Sequence, residues 1–162
     1  MAHYAQLIAN IVEMSGYKTF LELGVWTGTV SDAVKPFAKI TGVDIVDRRN
    51  DKSGEFFLGT TDAFFCQLSE ERKWDAIFID AQHDFESVKK DFKNSFEHLT
   101  TNGLLIFHDT DPADPKFYKD CGDVYKIREY IYHWLTESIT LPIQDGGMTL
   151  CKAAFSRRHD AI

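Results

Sequence analysis

Two apolar runs of the sequence, WDAIFI and LLIF, are each followed by side chains that can exchange protons. Asp80 and His83 follow the first run, and His108 and Asp109 follow the second. If the runs are neighbouring parallel strands, their carboxyl ends meet at one edge of a sheet and bring these side chains together. Histidine titrates near neutral pH, so the four residues form a candidate acid–base site. In the structural alternative, His83 and Asp84 organise the start of a helix, and His108 packs beneath a loop.

A glycine-containing turn, LELGVWTGT, follows another short apolar run. Gly24 and Gly28 would permit a tight turn with the backbone close to a ligand at a helix N-terminus. The dinucleotide fingerprint GxGxxG has a different spacing, and Trp26 stands where its middle glycine should be, which disfavours an NAD-dependent oxidoreductase. A carboxylate at Glu22 favours a ligand with an ammonium or sulfonium group, such as S-adenosylmethionine. In the alternative interpretation, the two glycines serve only the turn.

Two further strand ends carry polar residues that suit a nucleoside. Asp44 lies 20 residues after Gly24, where a carboxylate commonly accepts hydrogen bonds from ribose hydroxyls. Thr61 and Asp62 follow the next predicted strand and are placed to meet an adenine edge. The alternative for these two residues is that they only cap the helix that follows.

Strand and helix patterns alternate along most of the chain, which predicts an α/β fold with a mostly parallel sheet. An amphipathic helix is expected over about 3–15, and the segment 108–122, with two prolines, is expected to be the longest loop. A turn is expected at Thr101-Asn102-Gly103, a helix over 124–135, and a terminal antiparallel hairpin turning at Asp145-Gly146-Gly147. The predicted strands are 19–23, 38–44, 55–58, 74–80, 104–107, 139–143 and 148–153.

Length and composition limit the possible classes of protein. At 162 residues with 44% hydrophobic residues, the sequence predicts a single folded domain over 1–162, with its N-terminal helix within 1–17. A formal charge of −7 makes nucleic acid an unlikely partner. No stretch approaches the about 20 apolar residues that span a bilayer, and three cysteines form no CxxC pair. We expect no membrane association and a cytoplasmic location.

The sequence resembles the class I S-adenosylmethionine-dependent methyltransferases. LELGVWTGT resembles their first motif, and GVDI resembles their acidic second-strand end. The segments IDAQHDFESVKKDF and FHDT resemble a short-core subgroup related to catechol O-methyltransferase-like and cephalosporin-hydroxylase-like proteins, although Ala81 replaces the subgroup's usual glycine. The resemblance implies a Rossmann-like, doubly wound sheet of seven strands. It also implies a set of cofactor-binding residues: Glu22, Gly24, Val25, Trp26, Gly28, Asp44, Ile45, Thr61, Asp62 and Asp80.

The resemblance implies methyl transfer to a small-molecule acceptor, which we expect to be at oxygen. The catalytic candidates are Asp80, His83 and His108. If the catechol-type relatives are the guide, Asp80 and Asp109 hold a divalent cation such as Mg²⁺ and a histidine acts as base. In the metal-free alternative, His83 or His108 acts alone. Thr110 stands where those relatives often have an amide or a second carboxylate, so the predicted ligand shell is small.

Little of the sequence remains outside these motifs to enclose an acceptor. The loop over 108–122, the N-terminal helix or a second subunit of a homo-oligomer must therefore do so, unless the site is open. A second hypothesis is a non-catalytic module that binds S-adenosylmethionine but has lost its acceptor site. The identity of the acceptor is not encoded in the shared core.

Overall fold

The computed structural model describes residues 3–134, 136–143 and 146–153. Its centre is a seven-stranded sheet in the order β3-β2-β1-β4-β5-β7-β6. The first five strands are mutually parallel, and β7 runs antiparallel to both β5 and β6. The predicted fold class is therefore confirmed. The strands are β1 (Thr19–Leu23), β2 (Lys39–Asp44), β3 (Glu55–Leu58), β4 (Trp74–Ile79), β5 (Leu99–His108), β6 (Thr136–Leu141) and β7 (Met148–Ala153).

Helices cover both faces of the sheet, which explains why the central strands read as continuous apolar runs. The helices are α1 (His3–Ser15), α2 (Thr29–Val34), α3 (Thr61–Phe65), α4 (Phe85–Glu97) and α5 (Ile127–Tyr132). Residues of α1 and α2 pack with Phe20, Phe78 and Ile106 on one face. Residues of α3, α4 and α5 form the other core layer, in which Phe92 is fully buried. These two layers fix the strand ends that carry the candidate site.

The start of β5 differs from the sequence prediction. No turn forms at 101–103, because β5 already begins at Leu99, which pairs with Trp74 across a register shift. Gly103 is required inside this strand, since a Cβ there would lie 2.6 Å from the Leu99 side chain and 2.9 Å from the Asp75 carbonyl oxygen. Gly103 therefore lies in an irregular part of β5 and does not mark the turn that precedes this strand.

The segment after the long loop also differs from its prediction. A 3₁₀ turn over Val124–Lys126 precedes α5, which ends at Tyr132 instead of continuing through Trp134. The loop itself contains a short 3₁₀ helix over Pro115–Phe117. Leu135 of the predicted helix and Asp145 of the predicted hairpin turn lie outside the described residues.

The carboxyl ends of β1, β2, β4 and β5 lie along one edge of the sheet, as the parallel register requires. Glu22, Asp44, Asp80 and Asp109 lie at or directly after those ends. Within the described ranges, no helix has the length and apolar character needed to cross a membrane.

Candidate active site

The turn after β1 packs directly against the end of β4. Gly24 has a φ of 85°, and its N–H donates to the Val43 carbonyl oxygen at 2.9 Å. A Cβ at this position would lie 2.1 Å from the carbonyl oxygen of Asp80. Glycine is therefore required both by the backbone conformation and by the close approach of Asp80, which directly follows β4. This contact couples the position of the turn to that of Asp80.

Trp26 replaces the middle glycine without filling the turn. Its backbone has a φ of 50°, and its N–H donates to Asp44 Oδ2 at 2.8 Å. Trp26 is 61% exposed, and the Arg48 guanidinium carbon lies 4.3 Å from the centroid of its indole ring. The other Asp44 oxygen accepts the Val46 N–H at 3.0 Å. Each carboxylate oxygen has a second lone pair, so Asp44 can still accept from a ligand hydroxyl.

Glu22 is a buried carboxyl, only 2% exposed, at the end of β1. The Ser31 hydroxyl of α2 donates to its Oε2. Burial raises the pKa of Glu22 to about 8, and the nearby charges of Asp80 and Asp32 act in the same direction against the Ser31 hydrogen bonds. A cationic ligand group beside Glu22 would favour its ionised form.

Two cavities adjoin this turn. The larger has a volume of about 240 Å³ and the smaller one of about 40 Å³, and Gly24 lines both. The predicted cofactor residues Gly24, Asp44, Ile45, Thr61 and Asp62 line the larger cavity. The smaller cavity is lined by the remaining predicted cofactor residues except Gly28, namely Glu22, Val25, Trp26 and Asp80, together with Gly24.

Several residues that line these two cavities were not predicted from the sequence, and Gly28 lines neither cavity. Gly28 is the N-cap of α2 with a φ of 84°, and a Cβ there would approach the Arg49 side chain. The missed residues lie on α1, at the N-cap of α3, in the loop after β4 and on α4. They include Tyr4, Thr60, Ala81, Gln82, Ser87, Lys90 and Asp91.

The structure brings Asp80, His83, His108 and Asp109 into one cluster. His83 Nε2 lies 3.5 Å from Asp80 Oδ1 and 3.3 Å from Asp109 Oδ2. His108 Nδ1 lies 3.5 Å from Asp80 Oδ1 and 3.0 Å from Asp109 Oδ1. Each imidazole therefore contacts both carboxylates, and the cluster alternates acid and base around a ring.

The two imidazoles have different access to solvent. The His83 side chain is 43% exposed, whereas that of His108 is 8% exposed. His108 Nε2 is buried and has no hydrogen-bond partner among the described residues. The centroid of its ring lies 4.5 Å from that of Tyr4. His83 is therefore the solvent-accessible imidazole of the two, and His108 contacts the two carboxylates from the buried side.

Charges within the cluster stabilise one another. The hydrogen bond to Asp80 and the charge of Asp109 raise the pKa of His83 to about 9, although burial acts in the opposite direction. Burial disfavours the charged form of His108, but hydrogen bonds to Asp109 and Asp80 outweigh it and raise the pKa to about 10. Burial alone would raise the pKa of Asp109, but the hydrogen bond and the charge of His108 outweigh it. The pKa of this carboxyl therefore lies below its usual value. The two carboxylates thus favour the protonated form of both imidazoles.

The long loop after β5 fixes the outer half of the cluster. His83 Nδ1 lies 2.6 Å from the Asp120 carbonyl oxygen, which can only accept, so Nδ1 carries a proton. Cys121 Sγ donates to Asp109 Oδ1 at 3.2 Å. Gly122 has a φ of 57°, and a Cβ there would lie 1.9 Å from the His83 carbonyl oxygen. No local pattern predicts these contacts, because they join residues that are 12 or more positions apart.

A third cavity of about 360 Å³ is lined by Asp109 and by other residues of the loop over 108–122. Two half-exposed tyrosines, Tyr118 and Tyr125, form part of its wall. Arg128 lines it as well and pairs with Asp111 at 2.8 Å. The cluster therefore lies between this cavity and the smaller cavity beside Gly24, which Asp80 lines.

Known proteins resemble this chain in sequence pattern and in fold. The family described as a methyltransferase domain matches residues 21–110. An O-methyltransferase from Bacillus cereus in complex with SAH aligns with a TM-score of 0.76 at 13% identity, covering 93% of this chain and 80% of that one. TomG, an O-methyltransferase from Streptomyces achromogenes in complex with SAM, gives 0.67 at 14%, covering 95% and 81%.

An N-methyltransferase, NodS from Bradyrhizobium japonicum, has the same fold. It aligns with a TM-score of 0.63 at 16% identity, covering 91% of this chain and 92% of that one. At such identities these likenesses establish the fold alone. No curated protein sequence matches this chain significantly.

Proposed function

Because the chain belongs to the methyltransferase-domain family, whose match spans residues 21–110, we propose that it transfers the methyl group of S-adenosylmethionine to a hydroxyl of a small-molecule acceptor. The observation that carries this proposal is the position of the carboxylate–imidazole cluster. Asp80 lines the smaller cavity beside the glycine turn, and Asp109 lines the cavity under the loop. A cofactor and an acceptor in these two cavities would meet at the cluster.

The residues around the glycine turn fit the cofactor chemically. Buried Glu22 suits the cationic methionine part, and Asp44 retains lone pairs for ribose hydroxyls. The larger cavity offers the remaining space for a base, between Ile45 and the start of α3. When bound, the cofactor supplies the electrophilic methyl carbon, so the protein must orient and deprotonate the acceptor.

The third cavity supports a ring-bearing acceptor. Tyr118 and Tyr125 offer aromatic surface, and the Arg128–Asp111 pair offers polar groups. Transfer to oxygen is favoured over nitrogen because a hydroxyl must lose a proton as it reacts, whereas a neutral amine attacks through its lone pair. An acid–base cluster at the cavity's inner end is therefore more useful to a hydroxyl acceptor.

His83 is the better candidate for the proton acceptor. Its Nδ1 proton is held by the Asp120 carbonyl, so Nε2 is the nitrogen that exchanges a proton with an acceptor. His108 is buried and contacts both carboxylates through Nδ1, which suits a positioning role. Since Nε2 of His83 must be free to act as a base, the ionisation of the cluster has to change when ligands bind.

The donor set also fits a divalent cation. Ligand atoms of Asp80, His83 and Asp109 lie within 4.8 Å of one another. Metal-bound histidines usually donate their second ring N–H to a carbonyl or carboxylate, as His83 does to Asp120. In this alternative, a cation held by Asp80 and Asp109, with His83 Nε2 as a third ligand, would lower the pKa of the acceptor hydroxyl, and His83 would then not be the base. Calorimetry with Mn²⁺ tests this, and we expect Asp109→Asn to weaken binding at least tenfold.

Calorimetry with S-adenosylhomocysteine tests the proposed cofactor. We expect the wild-type protein to bind it, and Asp44→Ala to weaken binding about tenfold by removing the ribose contact. His83→Gln should retain cofactor binding but lose methyl transfer to a panel of phenols and other hydroxyl compounds. His133→Gln, at an exposed histidine after α5, is the matched control. Absence of S-adenosylhomocysteine binding at millimolar concentration would refute the proposed function.

A further inference from the structure

Asp91 is a buried carboxyl that the proposed reaction does not use. It lies in the middle of α4, and its side chain belongs to the helix's buried face, next to Phe92. The residue is only 2% exposed, although aspartate is a poor helix former and is seldom buried without a partner. Its position in the wall of the 240 Å³ cavity indicates a role toward a ligand.

The groups described around Asp91 leave lone pairs on its carboxylate oxygens available for a further hydrogen bond. The Thr61 hydroxyl, at the start of α3, hydrogen bonds to the carboxyl. Burial raises the pKa of Asp91 to about 6, with the charges of Asp62 and Asp84 adding to the increase and Lys90 opposing it. At neutral pH the group is therefore mainly a carboxylate, which can only accept hydrogen bonds. One hydroxyl donor does not exhaust its lone pairs.

The two ends of the 240 Å³ cavity suit different groups of the ligand. Asp44 at the β2 end suits the ribose, which directs the base toward the wall formed by α3 and α4. That wall presents Thr61 and Asp91. Adenine carries one exocyclic hydrogen-bond donor, its 6-amino group, whereas a 6-oxopurine has a carbonyl oxygen at that position. A buried carboxylate pairs with the amino group and repels the carbonyl oxygen.

We propose that Asp91 accepts a hydrogen bond from the 6-amino group of the cofactor's adenine and makes the site select 6-aminopurines over 6-oxopurines. The proposal rests on the proposed function, since it assumes that the larger cavity holds the adenosine part of the cofactor. It assigns specificity to a helix residue that lies outside the glycine turn and the strand ends. The exposed carboxylate of Asp62, which pairs with Lys90 at 3.5 Å, is less suited because water competes for it.

Equilibrium binding of two matched ligands tests the proposal. S-adenosylhomocysteine carries the 6-amino group, and S-inosylhomocysteine carries a 6-oxo group on an otherwise similar molecule. We expect the wild-type protein to bind the amino ligand at least tenfold more tightly at pH 7.5, because the oxo ligand places a carbonyl oxygen, a second acceptor, against the Asp91 carboxylate. Asp91→Asn can present an amide N–H to the oxo group, so the preference should fall at least tenfold. Glu86→Gln, at an exposed carboxylate on the same helix, should leave the preference unchanged.

The outcomes separate this inference from the proposed function. If the wild-type protein binds both ligands equally, the inference is overturned without reference to any variant. If Asp91→Asn keeps the wild-type preference, Asp91 has only a structural role. In both cases binding of S-adenosylhomocysteine would still support the proposed function. If the wild-type protein binds neither ligand, both proposals fail.

Discussion

Replacement of Glu22 by glutamine should change how the stability of the protein depends on pH. Glutamine has nearly the same shape, and its carbonyl oxygen can still accept from the Ser31 hydroxyl. It removes the ionisable group, however, and burial raises the pKa of that group from 4.5 to about 8 in the folded protein. The wild-type and variant proteins should therefore diverge in stability as the pH rises.

The direction and size of the divergence follow from proton linkage. Below pH 4.5, Glu22 is protonated in both the folded and unfolded states and contributes no pH dependence. Between 4.5 and about 8, the folded protein keeps this proton while the unfolded chain has lost it, so a rise in pH destabilises the fold. The slope is at most about 1.4 kcal/mol per pH unit, which gives an upper limit of about 5 kcal/mol over the whole range.

Urea unfolding monitored by circular dichroism, at pH values from 5 to 8, measures this difference. The free energy of unfolding of Glu22→Gln minus that of the wild type should increase steadily with pH. Other groups with raised pKa values, such as His83 and His108, are present in both proteins and largely cancel. Glu13→Gln, at an exposed carboxylate on α1, should show no such trend. A difference that stays constant or decreases with pH would show that Glu22 is ionised in the folded protein.

The same variant should lose affinity for the proposed cofactor while it gains stability. A neutral amide cannot pair with a sulfonium or ammonium group, so S-adenosylmethionine binding should weaken about tenfold or more at pH 8. The two measurements together would indicate that the buried carboxyl is retained for binding at the expense of stability. Unchanged affinity would contradict the proposed contact between Glu22 and the methionine part.

Three further substitutions test the packing that positions the site. Gly24→Ala places a Cβ 2.1 Å from the Asp80 carbonyl oxygen at a φ of 85°, so thermal unfolding should show a loss of about 3 kcal/mol or more. Phe92→Ala removes a fully buried ring and should cost about 3–5 kcal/mol in urea unfolding, without a change in secondary structure at low denaturant. Gly122→Ala would drive the loop away from the His83 carbonyl oxygen, and we expect lower methyl transfer with unchanged S-adenosylhomocysteine affinity. A wild-type rate in Gly122→Ala would show that the docking of this loop is not needed for activity.

The fold could be predicted because its signals are local and repeated. Apolar runs such as WDAIFI can be stable only in a sheet covered on both faces, and glycines mark the turns between strands and helices. The position of β5 could not be predicted in the same way. Asn102 and Gly103 are typical turn residues, but Leu99 pairs with Trp74, and the strand continues through Gly103, where close packing leaves no room for a side chain. Tertiary packing overrode a local preference there.

The order of residues along the chain specifies which chemical groups stand at the carboxyl ends of the strands. Parallel register brings Asp80, His83, His108 and Asp109 to one edge of the sheet, so their convergence follows from topology. The tertiary structure alone decided how these groups divide their roles. Burial and contacts between distant segments leave His83 accessible and enclose His108, and they place Asp91 of α4 in the wall of a cavity. Exposure, protonation and cavity shape depend on neighbours from separate parts of the chain, and no local pattern encodes them.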